Sequence, residues 1–320
     1  MTETPTIPSF KDIQIAHARI SGQVHRTPVL RSSGINEMTG AQAFFKCENF
    51  QKVGAFKYRG AVNAVLSLTD DQAAHGVATH SSGNHAAALA LAARSRNIKC
   101  YVAMPETAPR SKAEAVKHYG AEITFCKPTL QSREETLNWI VQQTGASFIH
   151  PYDNFNVICG QGTAAKEFLE DEAGLDILLV PVGGGGLLSG SAIAAKAMKP
   201  GIRVYGCEPL NADDACRSFQ SGKIIPSLNP KTVADGLLTS LSERTFSIIM
   251  KNVENILTVP ESSIISAMRL IWQRMKIIIE PSSAVPVAVM LDNREKFEGK
   301  SVGIILSGGN CDLSNLPFHE

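Results

Sequence analysis

The sequence has no Cys-x-x-Cys pair, no block of one charge and no apolar run long enough to cross a bilayer. Each absence removes a class of protein. The seven cysteines, Cys47, Cys100, Cys126, Cys159, Cys207, Cys216 and Cys311, are scattered and odd in number. That pattern points to neither a zinc site nor a disulfide framework, and it fits a reducing compartment. The formal net charge is only +1, so neither a nucleic acid nor a basic partner is indicated. Met1-Thr2-Glu3-Thr4-Pro5 lacks the basic residues and apolar core of a secretory signal, and the expected location is the cytoplasm. There is no low-complexity linker and no short internal repeat. What is present is 320 residues with a hydrophobic fraction of 44%, enough for one large or two moderate cores.

Ser9 to Ser21 predicts a helix with Phe10, Ile13, Ala16 and Ile20 on one face. Thr27-Pro28-Val29-Leu30 is extended, since a residue before proline avoids the helical region. A strand at 41–47 precedes a helix at 56–68. Strands at 76–79, 100–104, 122–126 and 148–149 then alternate with helices at 84–94, 111–119 and 131–144. The pattern restarts with a longer period. Helices at 160–172, 187–198, 262–276 and 283–291 are set among strands at 177–182, 204–207, 256–259 and 302–306. Such alternation predicts parallel sheets with crossover helices. Two of them predict two domains with a ligand cleft between.

Gly54-Ala55-Phe56-Lys57-Tyr58-Arg59-Gly60 places a lysine at the start of an apolar helix, directly after a turn. The positive end of the helix disfavours an ammonium there, and burial acts in the same direction. A neutral amine on a fixed scaffold can form a Schiff base with a carbonyl. Read alone, the stretch does not distinguish Lys57 from a solvated lysine. Thr79-His80-Ser81-Ser82-Gly83-Asn84-His85 lies between a strand and an alanine-rich helix. Free N–H groups at that helix start can hold a carboxylate, with Ser81, Ser82 and Asn84 as added donors. The competing reading is an ordinary cap, with a serine or asparagine side chain closing the helix.

Gly183-Gly184-Gly185-Gly186 follows a strand and precedes a helix. With every side chain removed, backbone N–H groups can approach a phosphate closely. The stretch has neither the Gly-Lys-Ser/Thr ending of a Walker loop nor the dinucleotide spacing. Ser307-Gly308-Gly309-Asn310 closes the last strand, where ligands gather in open α/β sheets. Glu208 and Asp214, with a backbone carbonyl between them, can hold a hard cation through oxygen ligands; they can equally form a solvated acidic loop.

These motifs in this order resemble the fold-type II enzymes that use pyridoxal phosphate, and more narrowly the serine racemase and serine/threonine dehydratase family. The resemblance runs from Thr27-Pro28-Val29-Leu30 to Asn310 and includes Gly160-Gln161-Gly162-Thr163. It implies a two-domain α/β fold similar to the tryptophan synthase β chain. Each domain is an open, mostly parallel sheet flanked by helices. Residues 1–68 and 153–320 would form a large cofactor-binding domain and residues 77–150 a small mobile one. It also implies that Lys57 is the Schiff-base lysine, with Phe56 beside the pyridine ring and Asn84 on the 3′ oxygen. Gly183, Gly184, Gly185 and Gly186 would bind the phosphate, and Ser307 would meet the ring nitrogen. The substrate carboxylate would lie on Ser81, Ser82, Gly83, Asn84 and His85. Ser82 would be the acid or base on the face opposite Lys57. Glu208, Ala212 and Asp214 correspond to a magnesium, manganese or calcium site. The assembly implied is a homodimer. The chain ends shortly after Asn310, so no appended regulatory domain is expected.

The leading expectation is α,β-elimination of small hydroxy amino acids such as L-serine and L-threonine to keto acid and ammonia, together with serine racemase activity. Pro151-Tyr152-Asp153 instead resembles the dehydratases and the hydroxyaspartate ammonia-lyases, because animal serine racemases have asparagine in place of Tyr152. A threo-3-hydroxyaspartate ammonia-lyase is therefore the nearest alternative. Arg133 would then pair with the second carboxylate, although its helix position also suits a surface arginine. A non-catalytic ligand-binding protein on the same fold is the alternative from a different class.

Overall fold

The computed structural model describes residues 5–81, 83–108 and 110–318. In chain order the elements begin with α1 (Phe10–Ile20), β1 (Val29–Arg31), α2 (Ser33–Thr39), β2 (Gln42–Cys47), α3 (Lys57–Leu66) and α4 (Asp70–Ala74). Next come β3 (Val77–His80), α5 (Asn84–Ser95), β4 (Cys100–Pro105), α6 (Arg110–His118), β5 (Glu122–Cys126), α7 (Leu130–Thr144) and β6 (Ser147–Phe148). They continue through α8 (Phe155–Asp171), β7 (Ile177–Pro181), α9 (Gly186–Met198), β8 (Arg203–Pro209), α10 (Asp214–Ser221) and α11 (Glu243–Asn252). The chain closes with β9 (Asn255–Val259), α12 (Glu261–Met275), α13 (Pro281–Asp292), α14 (Arg294–Phe297) and β10 (Ser301–Leu306).

The strands fall within one or two residues of their sequence-predicted positions and sort into two sheets. The larger has the order β1-β2-β10-β7-β8-β9, parallel except for β1 against β2. The smaller, β5-β4-β3-β6, is wholly parallel. The α/β class with parallel sheets and crossover helices is therefore as the alternation predicts. Buried runs such as Ile177–Pro181 are apolar at every position because helices cover both faces of the sheet.

Several helices were not anticipated. α2 is closed by Ser32 at its start and by left-handed Gly40 at its end. α11 is opened by a reciprocal capping box between Ser242 and Thr245. α8 begins at Phe155 rather than at residue 160, because the Asn154 side chain accepts the N–H of Val157 at 3.1 Å.

Helix α8 positions the site. A Cβ on Gly160 would lie 2.3 Å from the carbonyl of Arg59, and one on Gly162 would lie 2.8 Å from the carbonyl of Gly190. Only glycine lets α8 press its backbone against both α3 and α9, which brings the starts of those two helices together. The same crossing is held electrostatically. Arg59 is fully buried and donates to both oxygens of Glu48 (2.7 and 2.9 Å) and both of Glu167 (2.8 and 2.7 Å). Buried Lys46 adds a bond to Glu167 at 3.1 Å and one to the Thr27 carbonyl at 2.8 Å. Two cations thus face two carboxylates inside the core.

Removing one member of such a set leaves an uncompensated buried charge. Arg59→Ala should cost about 3–5 kcal/mol in unfolding free energy, read from urea melts. A loss below about 1 kcal/mol, the range of surface ion pairs, would contradict this role.

Candidate active site

Lys57 is the first residue of α3, and the loop before it is tied to the end of β10. Ala55 bridges Gly308, Phe56 N–H donates to the Ser307 carbonyl at 2.9 Å, and Gly309 N–H donates to the Gly54 carbonyl at 2.9 Å. Gly54 has φ +69°, and a Cβ there would lie 2.6 Å from Asn310 Oδ1. The lysine is therefore presented by a turn pinned to the end of β10. Its ammonium group donates to the Pro151 carbonyl at 3.0 Å and sits 5.1 Å from the centre of the Phe56 ring. Loss of water brings its pKa down to about 8, against the opposing charge of Glu280.

Glu280 went unnoticed in the sequence. It lies between an isoleucine run and Pro281, and it is buried. Asn84 Nδ2 donates to both of its oxygens at 3.0 Å, while Asn84 Oδ1 accepts from Asn310 Nδ2 at 3.0 Å. Burial pushes Glu280 up to about 7, opposed by the bonds from Asn84. A Cβ on Gly308 would meet Glu280 Oε1 at 2.8 Å, so the carboxyl group abuts the Ser307-Gly308 turn. Ser307 is buried with its hydroxyl 3.2 Å from that of Ser283. Ser283 Oγ accepts the Gly308 N–H at 2.7 Å and donates to the Gly308 carbonyl at 2.8 Å. Lys57, Phe56, Asn84 and Ser307 are thus brought into one connected group.

The four glycines join β7 to α9. Gly185 has φ +85°, and a Cβ there would strike Leu241 at 2.8 Å. A Cβ on Gly184 would enter the Tyr152 ring at 2.4 Å. Gly185 caps α9 without a side-chain bond, leaving the first N–H groups of that helix free. The turn is a backbone cradle that any side chain would fill, which fits the phosphate expected there.

The start of α5 departs from the ordinary cap. Gly83, not a serine or asparagine, is the capping residue, and no side chain closes the helix. Ser81 Oγ accepts the Gly83 N–H at 3.3 Å and so shapes the preceding turn. The N–H groups of α5 are left available to an anion. His85 is buried, and its Nε2 lies 3.2 Å from the Ile149 carbonyl. Ser82 lies outside the described residues.

An aromatic wall adjoins the cradle. His150 meets Tyr152 edge-on at 4.5 Å between ring centres, and His80 meets both Phe148 and His150 at 5.8 Å. His150 Nδ1 accepts the N–H groups of Tyr152 and Asp153 at 3.3 and 2.9 Å. Arg133 is half-buried in the first turn of α7 rather than fully on the surface. α7 packs on β3, and burial, with the charge of Arg133 after it, brings His80 down to about 4.

Glu208 and Asp214 are both buried at the end of β8. The Glu208 oxygens accept the N–H groups of Ala215 and Cys216 at 2.9 and 2.8 Å, which starts α10. Neither Asp214 oxygen has a hydrogen-bond partner among the described residues. Burial pushes Glu208 up to about 9 and Asp214 up to about 6. These are not a solvated acidic loop. Glu208 at the end of β8, the buried Ala212 turn and Asp214 at the start of α10 are the residues that would hold a hard cation.

A family model described as pyridoxal-phosphate dependent enzyme matches residues 20–308. The chain is 52% identical to a β-hydroxyaspartate dehydratase of Paracoccus denitrificans, over 98% of this chain and 99% of that protein. It is 47% identical to an L-threo-3-hydroxyaspartate ammonia-lyase of Saccharomyces cerevisiae, over 96% and 94%. The crystal structure of a serine racemase from Dictyostelium discoideum superposes with a TM-score of 0.91 at 50% identity, covering 95% of this chain and 99% of that one.

The lowered lysine pKa can be measured without any ligand. Competitive labelling with trace acetic anhydride should give Lys57 a titration midpoint near pH 8. Glu280→Gln removes an opposing negative charge and should move that midpoint lower. A wild-type midpoint above about 10, the value of an ordinary lysine, or one indifferent to Glu280→Gln, would refute the assigned environment.

Proposed function

The chain belongs to the pyridoxal-phosphate-dependent enzyme family, and within it we propose a lyase that eliminates the β-hydroxyl of small hydroxy amino acids and also racemises serine. L-Serine would give pyruvate and ammonia, and L-threonine would give 2-oxobutanoate and ammonia. The observation that carries this reading is the convergence of Lys57 with two uncapped helix starts, those of α5 and α9. One suits a substrate carboxylate and the other a phosphate.

Lys57 would hold the cofactor, flanked by Phe56, with Asn84 on its 3′ oxygen, Gly183 to Gly186 at its phosphate and Ser307 at its ring nitrogen. When bound, pyridoxal phosphate supplies a sink for the electron pair left as the α-proton departs. Ser307 offers a neutral hydroxyl where an aspartate would hold a proton. That choice favours rapid loss of a β-substituent over a long-lived carbanion. Ser81, Gly83, Asn84 and His85 orient the substrate carboxylate at α5. Lys57, with its pKa near 8, is a fitting general base for the α-proton. Ser82 would serve the opposite face of the α-carbon.

A second reading has its own support. Arg133 beside the His80–Tyr152 wall can pair through two hydrogen bonds with a second carboxylate. The substrate would then be 3-hydroxyaspartate. A smaller mobile domain, residues 77–150, is part of the proposal. β3 to β6 share a sheet of their own, and this part meets the rest through the apolar packing of α5 on α3, the bonds of Arg96 to the Val65 and Leu68 carbonyls, and the polar pairs Asn84–Glu280, Asn84–Asn310 and Lys112–Asp235. A homodimer is the assembly that the family resemblance implies.

One experiment tests the chemistry. Wild type, Lys57→Ala and Ser82→Ala are each given L-serine, L-threonine and 3-hydroxyaspartate. Keto acid and D-serine are assayed in the same tubes. Lys57→Ala should lose both products. Ser82→Ala should lose D-serine while keeping keto acid from L-serine, because elimination needs only one base at the α-carbon. Equal loss of both products would count against Ser82 as the second base. The ratio of keto acid from hydroxyaspartate to that from serine decides between the two readings.

Glu208, Asp214 and the Ala212 carbonyl are proposed to hold magnesium, manganese or calcium. Both acids have folded pKa values above their unfolded ones, so they destabilise the cation-free fold as pH rises through about 6 and on to about 9. A cation replaces the missing protons. The rise in melting temperature on adding magnesium or calcium should therefore grow with pH across that window. Asp214→Asn should flatten it. A cation effect that is absent, or the same at pH 5.5 and 8.5, would count against the site.

A further inference from the structure

Among the described residues, two buried side chains leave both of their polar atoms without a partner: Asp214 and Gln161. Asp214 belongs to the proposed cation site. Gln161 lies on the inner face of α8 and is wholly inaccessible. Its neighbour Thr163 is fully paired, donating to the Gly160 carbonyl at 2.6 Å and accepting from Arg59 at 3.2 Å. Buried polar groups are nearly always bonded, and an orphaned amide costs free energy. An amide with neither end paired, in a helix otherwise so well satisfied, points to a ligand.

The surroundings say which ligand. A Cβ on Gly60 would lie 3.0 Å from Gln161 Cγ, and one on Gly186 would lie 2.6 Å from Gln161 Oε1. Glycines on both sides therefore make room for the side chain. It extends from α8, past Gly60 in the first turn of α3, to Gly186, the first residue of α9. α9 has 13 residues, and Gly185 caps it without a side-chain bond, so its leading N–H groups are free at the end that the Gln161 side chain reaches. A half-turn of the amide about its last torsion exchanges its two ends without changing the packing. The amide can thus add N–H donors to those of the backbone. A group that takes several donors at a positive helix end is an anion with several oxygens.

We propose that Gln161 is a cofactor-positioning residue whose side-chain amide donates to the phosphate group held at the start of α9. This rests on the reading of that turn as the pyridoxal-phosphate site. The four glycines fix where the phosphate lies, and Gln161 closes the cradle from the side of α8. Because α8 also packs on α3, the same residue sets the phosphate relative to Lys57.

The test compares two probes on apoenzyme: pyridoxal phosphate, and pyridoxal, which keeps the aldehyde and lacks the phosphate. Dissociation constants are read by absorbance and by tryptophan fluorescence for wild type, Gln161→Leu and Gln161→Glu. Gln161→Leu should weaken pyridoxal phosphate by roughly tenfold to a hundredfold, the value of a hydrogen bond to a charged group. Pyridoxal should bind within about twofold of wild type, and the apoenzyme should be no less stable, because an unpaired amide has been removed. Gln161→Glu places a negative charge beside the phosphate and should weaken pyridoxal phosphate further, again sparing pyridoxal. Gln161→Glu decides the matter if Gln161→Leu does not fold. Equal weakening of both probes, or unchanged affinity for pyridoxal phosphate, overturns the inference while leaving the site reading intact. A wild-type apoenzyme that binds neither probe overturns both.

Discussion

Helix α8 touches α3 and α9 backbone to backbone, and the site exists because it does. Gly60, Gly160, Gly162 and Gly190 permit that contact, since a Cβ at any of them would fall within 2.8 Å of a neighbouring carbonyl oxygen. Such packing is costly to specify, because each glycine has more backbone freedom to lose than any other residue. The return is geometric. Two helix starts are held at one end of the sheet with a tolerance set by van der Waals contact rather than by flexible side chains. The Arg59–Glu48–Glu167–Lys46 set then fixes rotation and register, since it satisfies its hydrogen bonds in one arrangement. Arg59 lies two positions beyond Lys57, so a distortion of this set would be felt directly at the lysine.

The electrostatics of the cleft follow from the same arrangement. Helix starts at α3, α5 and α9 each carry partial positive charge, and Lys57 would add a full one. Loss of water makes that sum unfavourable, which is why Lys57 gives up its proton near pH 8. Glu280 works in the other direction. Its carboxyl group takes both bonds from Asn84 and abuts the turn at Gly308, in the part of the cleft nearest Lys57. Burial pushes it up to about 7, opposed by the bonds from Asn84.

What the sequence made legible was whatever depends on local pattern. Apolar runs gave the strands and four adjacent glycines marked a backbone cradle, whereas Lys57 stood out only through the family resemblance. What it hid depends on contacts between distant residues. Glu280 and Asn84 are partners 196 positions apart, and Glu208 starts α10 from the strand before it. Neither leaves a local signature. Glu208 and Asp214 read equally well as a solvated loop until burial is known. Arg133 on its helix looks like a surface residue until α7 is packed beside His80. The start of α5 is instructive in the opposite sense. Serines and an asparagine there suggested a cap, yet Asn84 turns away to Glu280 and leaves the helix open.

The polar groups left unpaired in the folded chain are themselves informative. Asn49 and Glu261 each have one orphaned oxygen and one bonded atom, which is ordinary incomplete satisfaction. Gln161 and Asp214 are buried with both atoms unpaired, one beside Gly186 and one at the start of α10. A core that pairs two buried cations with two buried carboxylates is not short of means to satisfy an amide. On the two proposals made above, a phosphate and a cation would complete these positions, and each would remove a desolvation cost that the chain alone must bear.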